Sequence, residues 1–393
     1  MKRTTTFLLL VLASTVMFAQ TTITEEGPLP DGVFETSGLV FYKGKLITHN
    51  DSGNTAQLFE IDTVSLEITR TVSITNGENI DWEDITQDSE YFYIGDFGNN
   101  VGTRQDLAIY RVPKNSYDQS DAVAAEVINF SYEDQTDFTD AGNSDWDAEA
   151  LFVLGDQLII LTKQWQTNGT VAYAIPRSPG THMATKIDGF NIQGLVTAAS
   201  YNPETNILYV LGYSSFLEPF LYRIEGATVT SIFDGTVAKL DTTAGFGQTE
   251  GLTYVSDNRY FVSSESFVNS NPPITLPALL LSFNTNDLLA GEPVPEPTPD
   301  PDPDPEPDPD PEQQKDPLVL YRTNGSTVLE YELNIDKPLL AQAVFNASGQ
   351  RVIFKTGDNV TADGIDIATL NAAIYYLTLY LGDEVISKPF AKF

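Results

Sequence analysis

The chain has 393 residues with 55 acidic and 21 basic side chains, a formal net charge of −34, and no cysteine. The missing cysteine excludes disulfides, thiolate metal sites and cysteine nucleophiles. So negative a field disfavours nucleic acid and anionic lipid as partners and favours cations or neutral ligands.

Residues 1–20 open with Lys2 and Arg3, continue through an apolar run from Phe7 to Leu12, and reach Ala19 before Gln20. A basic start, a short apolar stretch and a small residue at the boundary predict a signal peptide. The run is too short for a membrane span, and no later segment approaches that length. The expected location is therefore outside the cell or on its outer surface, reached through the periplasm.

Residues 21–291 hold 37 acids against 12 bases, a net of −25, so the acidity is not confined to one tract. This region repeats loosely. Five segments begin near Ser37, Glu83, Glu149, Thr197 and Glu250, at intervals of 46, 66, 48 and 53 residues. Each anchor opens an apolar strand, followed by a longer second strand with a polar end and by a third strand. Four segments also carry a candidate fourth strand, at 67–75, 126–133, 184–192 and 227–235. Short strands rich in β-branched and aromatic residues, broken by Gly, Asn, Asp and Pro, predict an all-β propeller. Five blades are expected, or six if the 66-residue interval holds another unit. The last segment lacks a fourth strand, and residues 21–26 are expected to supply it and close the ring.

In such a blade the start of the first strand and the end of the antiparallel second strand share one face. That places Ser37, Glu83, Glu149, Thr197 and Glu250 at one channel mouth. His49, Asn50, Asp51, Asp96, Asn99, Lys163, Tyr213 and Glu265 lie nearby. Glu83, Glu149 and Glu250 are the candidate metal ligands. Asp81 and Asp147 precede two of them at the spacing that points both side chains to one side of a strand. Crowded carboxylates require neutralisation by a cation, a proton or Lys163, and calcium suits carboxylate and amide oxygens. Asn50, Asp96, Asn99, Lys163, Tyr213 and Glu265 are candidate ligand-binding residues, and His49 and Asp51 candidate catalytic groups. An architectural role, tying neighbouring blades together, stands beside these readings. Trp82 and Trp146 are expected to pack between blades. Two histidines, His49 and His182, cannot assemble a His-rich zinc site.

Residues 292–317 read EPVPEPTPDPDPDPEPDPDPEQQKDP. Proline removes donors and like charges push the chain outward, so a disordered Pro/Asp linker is expected. Residues 318–393 alternate apolar and polar side chains between turns, which predicts a small β-sandwich.

Two resemblances add to this. The Thr249–Val255 and Arg259–Ser266 pair, with Glu250 opening an inner strand, is similar to blades of calcium-dependent lactonase-like and phytase-like esterase propellers. It implies that Glu250, with Glu83 and Glu149 by internal alignment, coordinates a catalytic cation. The C-terminal segment resembles the type A sorting domain of the type IX secretion system of Bacteroidetes. The matching features are the turn at Gly349, Gln350 and Arg351, the segment Ile365, Asp366, Ile367 and Leu370, the run Ile374–Leu377, and a basic end at Lys388 and Lys392. It implies the type IX secretion machinery as a partner.

Two functions from different classes fit these readings. One is a surface-exposed binding module for a carbohydrate, peptide or small-molecule ligand at the channel face. The other is a calcium-dependent hydrolase of an ester, lactone or phosphoester, in which His49 or Asp51 activates water.

Overall fold

A computed structural model describes residues 21–392 apart from 215–216, 241, 243–246, 257, 271–272, 292–317, 322–326, 335–336, 347–350, 357–359, 361–363, 372 and 382–383. The predicted signal peptide, the Pro/Asp linker and the turn residues Gly349 and Gln350 lie outside the described residues. The chain divides into two compact bodies, Met1–Val268 with Thr275–Pro293, and Asn269–Ile274 with Val294–Phe393.

The first body is a β-propeller. Its strands run outward, mostly antiparallel, from a first strand: Thr36–Tyr42, Trp82–Gln87, Asp147–Leu154, Leu195–Asn202 and Thr249–Tyr254. Two parallel pairings lie at the outer edges: Glu126–Tyr132 of the second set joins Gly180–Phe190 of the third in one eight-stranded sheet, and Ile68–Ile74 of the first takes up Ala122–Val123. Each first strand packs beside the next, and Thr249–Tyr254 packs beside Thr36–Tyr42, so the five form a closed cycle. These strands are buried almost continuously because neighbouring blades cover both faces; in Asp147–Leu154 only Val153 is not fully buried. Outer strands instead alternate, as in Glu126–Tyr132, where Ile128, Phe130 and Tyr132 are buried and Asn129 and Ser131 exposed. The period-two pattern appears only where one face meets solvent.

The core of this body lies between blades. Val40, Ile47 and Leu58 of the first pack on Trp82, Phe92 and Ile94 of the second. Phe152 and Leu161 of the third meet Val210 and Phe220 of the fourth, and Leu39 and Leu46 of the first meet Phe261 and Leu280 of the last. Each fully buried side chain of this size contributes roughly 1.5–3 kcal/mol, so every blade depends on both neighbours. Trp82 is fully buried at such a boundary, and Trp146 packs on the cluster between the second and third blades.

Ring closure uses the N-terminus. Thr24–Pro28 pairs antiparallel with Leu279–Asn284, which pairs with Arg259–Ser264. The closing strand therefore sits a few residues later than residues 21–26. A larger difference concerns the fourth blade, whose outer strand is Thr236–Leu240 rather than 227–235. The β-branched run at 227–235 is used otherwise: Ile232 and Phe233 donate their backbone N–H groups to Asp188 Oδ2 of the third blade, at 2.9 and 2.7 Å. Its apolar side chains enter the cluster between those two blades. The 66-residue interval holds a helical turn, Lys114–Gln119, a short strand, Ala122–Val123, and the loop leading to Asp147.

The second body has two antiparallel sheets. One contains Leu318–Tyr321, Val328–Leu333 and Gly364–Asp366; the other contains Leu339–Asn346, Arg351–Thr356, Ala373–Leu381 and Glu384–Lys392. Leu318, Leu329 and Tyr331 of the first share one core with Val344, Leu377 and Leu379 of the second.

Candidate metal centre at the channel mouth

Each inner strand is bulged near its start, and four of the five anchors, Ser37, Glu83, Glu149 and Glu250, line the channel-mouth cavity, while Thr197 does not. Pairing skips one residue between Trp82 and Asp84, Ala148 and Ala150, Val196 and Ala198, and Thr249 and Gly251. The skipped residues are Glu83, Glu149, Thr197 and Glu250. In the first blade the slip falls between Ser37 and Val40. A bulge residue is freed from the ladder and its side chain re-aimed, which turns these anchors out of the sheet plane.

Glu83, Glu149 and Glu250 line one cavity of about 180 Å3, together with Ser37, Asp51, Lys163, Tyr213 and Glu265. Asn100, Trp165 and Gln248 complete its wall. Glu83, Asp147 and Glu149 each bring a carboxylate oxygen within 4.8 Å of the others, and Asp51, Asp81 and Glu83 do the same. Glu83 belongs to both groups. Lys163 Nζ donates to Glu149 Oε1 at 2.9 Å, while Trp165 Nε1 donates to Asp147 Oδ2 at 2.7 Å. Glu250 Oε2 is buried and has no hydrogen-bond partner among the described residues.

The loop after the second blade's second strand frames this cluster. Gly98 has no room for a Cβ, which would collide with Glu83 Oε1 and Asp81 Oδ2. The backbone N–H groups of Phe97 and Gly98 both donate to the Asp81 carbonyl, at 3.1 and 3.2 Å. The glycine lets two carboxylates approach the backbone closely, and a larger residue would have to displace one of them.

Burial dominates the electrostatics. It pushes Glu83 well above the ordinary carboxylate range, with Glu149, Asp51 and Asp81 adding to the shift. Glu149 is also raised by burial, although Lys163 opposes the shift. Asp51 is pushed to about 6, Asp81 and Glu250 to about 7, and Glu265 to about 8, each chiefly by desolvation. Burial disfavours the charge on Lys163, but Glu149, Tyr213 and Glu250 outweigh it and hold its pKa well above the ordinary value. One ammonium does not neutralise so many carboxylates, and protons or a further cation must do the rest.

Other sequence candidates stand behind the wall. His49 is fully buried, with its ring edge-on to Trp82 at 5.5 Å and Nδ1 donating to the Asn50 carbonyl at 3.1 Å. Burial lowers its pKa to about 4, and it does not line the cavity. Asn50 Nδ2 donates to the Gly32 carbonyl at 3.0 Å. Asp96 Oδ1 accepts from Arg104 Nη2 at 3.0 Å and from the Asp81 N–H at 3.1 Å. Asn99 donates its backbone N–H to Asp147 Oδ1 at 2.6 Å and accepts from the Arg104 N–H through Oδ1 at 2.9 Å. Asp96 and Asn99 thus brace Asp81 and Asp147, while Asn50 ties down the turn at Gly32.

Sequence reasoning missed Asp84, Trp165, Gln248 and the role of Gly98. Asp84, the residue after the Glu83 bulge, is buried and accepts from the Leu151 N–H of the next blade at 2.7 Å. An Asp directly following an anchor was its only signal.

No protein-family model matches this chain, and no curated protein matches it. Among solved structures it is similar to an α-L-arabinofuranosidase from Podospora anserina in complex with cellotriose, at 11% identity and a TM-score of 0.39, covering 69% of this chain and 98% of that one. It is also similar to a PQQ-bound aldose sugar dehydrogenase from Streptomyces coelicolor, at 9% identity and a TM-score of 0.35, covering 67% and 99%. No helix among the described residues is long and apolar enough to cross a membrane.

Proposed function

We propose that the protein is an exported propeller whose acidic channel mouth holds a divalent cation and presents it to an oxygen-bearing ligand, such as a carbohydrate, peptide or small molecule. The observation that carries this reading is the convergence of Glu83, Asp147 and Glu149, with Asp51 and Asp81 adjoining through Glu83. All the donors are oxygens, the set preferred by calcium. Glu250 Oε2, buried and without a hydrogen-bond partner among the described residues, fits such an ion, and the absent side chain at Gly98 lets Glu83 and Asp81 approach the backbone there.

Glu83, Asp147 and Glu149 would hold the cation, with Asp51, Asp81 and Glu250 close by. When bound, it supplies positive charge that polarises a carbonyl or phosphoryl oxygen. Ser37, Lys163, Tyr213 and Glu265 on the same wall would orient the ligand. Export is proposed to use the N-terminal signal peptide and the C-terminal body, through the type IX secretion machinery.

A specific observation favours hydrolysis of an ester, lactone or phosphoester as the second reading. Asp51 and Glu265 line the cavity with pKa values near 6 and 8. Groups poised near neutrality exchange protons with water or a leaving group. Because His49 does not line the cavity, Asp51 is the better base.

A panel of glycans and of ester, lactone and phosphoester substrates, run with calcium and with chelator, tests both readings. Calcium-dependent binding without turnover supports the module, and calcium-dependent turnover supports the hydrolase. Binding or turnover that chelation leaves unchanged overturns the role of the cation in both.

A further inference from the structure

We propose, on the reading that the acidic mouth holds a divalent cation, that Lys163 is a tethered competitor for that cation and sets the affinity of the site.

Lys163 ends the second strand of the third blade and pairs in register with Asp147. The backbone therefore delivers its ammonium to the carboxylate group it neutralises. Nζ lies 2.9 Å from Glu149 Oε1, with the side chain 7% exposed. It is the one cationic side chain among the described cavity residues. Its charge acts also on Asp51, Asp147, Glu250 and Glu265. The same oxygens are thus served either by an ammonium on a flexible four-carbon stem or by a divalent ion. Two positive charges a few ångströms apart in a buried site repel strongly, so each weakens the hold on the other.

A second observation is that the ammonium leaves one carboxylate oxygen of the set without a hydrogen bond. Glu250 Oε2, in the same wall, is buried and without a partner among the described residues. A third shows where the ammonium has other company. Nζ is 4.9 Å from the Trp165 ring centroid and 5.5 Å from that of Tyr213. Aromatic faces hold a cation, so Lys163 keeps favourable contacts when a divalent ion takes Glu149. The result is a site that fills only at high cation concentration, like the extracellular calcium modules with Kd of order 10⁻⁴–10⁻³ M.

The test is calorimetric titration of calcium chloride into the chelator-treated full chain at constant ionic strength, for the wild type, K163Q, K163M and K163R. Removing the charge is expected to tighten Kd at least about tenfold in both neutral variants, because like charges at this distance are worth more than the 1.4 kcal/mol of one decade. K163R, which keeps the positive charge, is expected to show no such tightening. Wild-type binding with no tightening in K163Q or K163M overturns the competitor role and leaves the cation reading standing. Binding in the neutral variants alone supports the competitor role and overturns the cation reading for the wild type. No binding in any chain overturns both. Failure of both neutral variants to fold while K163R folds assigns the charge to architecture and overturns the proposal.

Discussion

Thr197 Oγ1 donates to the carbonyl of Thr249 at 2.5 Å, across the boundary between the fourth and fifth blades, and Ser37 Oγ makes the same bond to the carbonyl of Glu83 between the first and second. The two hydroxyl anchors therefore grip backbone at the neighbouring carboxylate anchors. The ring mixes two jobs at equivalent positions: hydroxyls clamp blades, Ser37 doing so from the cavity wall, and carboxylates face the cavity.

Thr197→Val should separate these jobs. Removing the hydroxyl leaves the buried Thr249 carbonyl without that donor, a cost of about 1–3 kcal/mol. Urea unfolding with an unchanged m-value measures it. A loss under about 0.5 kcal/mol would argue against the clamp.

Gly98→Ala probes the room kept for carboxylates. The new Cβ meets Glu83 Oε1 and Asp81 Oδ2, so one of them must move. Calcium affinity is expected to fall at least about tenfold, equivalent to about 1.4 kcal/mol. Unchanged affinity would show that this loop yields freely.

Glu83→Gln removes the carboxylate common to both oxygen groups. In the wild type, calcium at 100 times its Kd should stabilise the fold by about 2.7 kcal/mol. In the variant that gain is expected to vanish, while stability in chelator holds or rises because a buried carboxylate is gone. Paired unfolding curves with calcium and with chelator give both values.

His49 predicts a pH effect of known sign. Its pKa is lowered from 6.5 to about 4 by burial, so below pH 6.5 the unfolded chain takes up a proton that the native ring refuses. Its contribution is present in full above that pH and is lost as pH falls towards 4, a total of about 3 kcal/mol. The stability difference between the wild type and His49→Gln should shrink by this order between pH 7.5 and pH 4.5. A difference independent of pH would contradict a neutral, buried His49.

Much of this was legible in the sequence because it follows from local rules. The anchors, the strand order and closure by the N-terminal strand rest on period-two patterning, turn residues and the need to cover edges. So does the grouping of Glu83, Glu149 and Glu250, since equivalent positions in a ring share one mouth. What escaped depends on single-residue geometry. The strand ends at Asn50, so Asp51 lines the cavity while His49 packs into the blade against Trp82. Bulges turn Glu83 and Glu149 out of the ladder, and a one-residue slip is invisible in composition. The run at 227–235 reads as a strand by propensity, yet its N–H groups serve Asp188 of another blade. Trp165 and Gln248 reach the wall from loops, where no periodicity marks them.

Diffraction from crystals of the full chain soaked in calcium, with a lanthanide as the anomalous substitute, tests the central claim most directly. The expected result is one strong peak with Glu83 and Glu149 oxygens at roughly 2.3–2.6 Å. Carboxylates bonded only to protons, to Lys163 and to water, with no peak at the mouth, would contradict it.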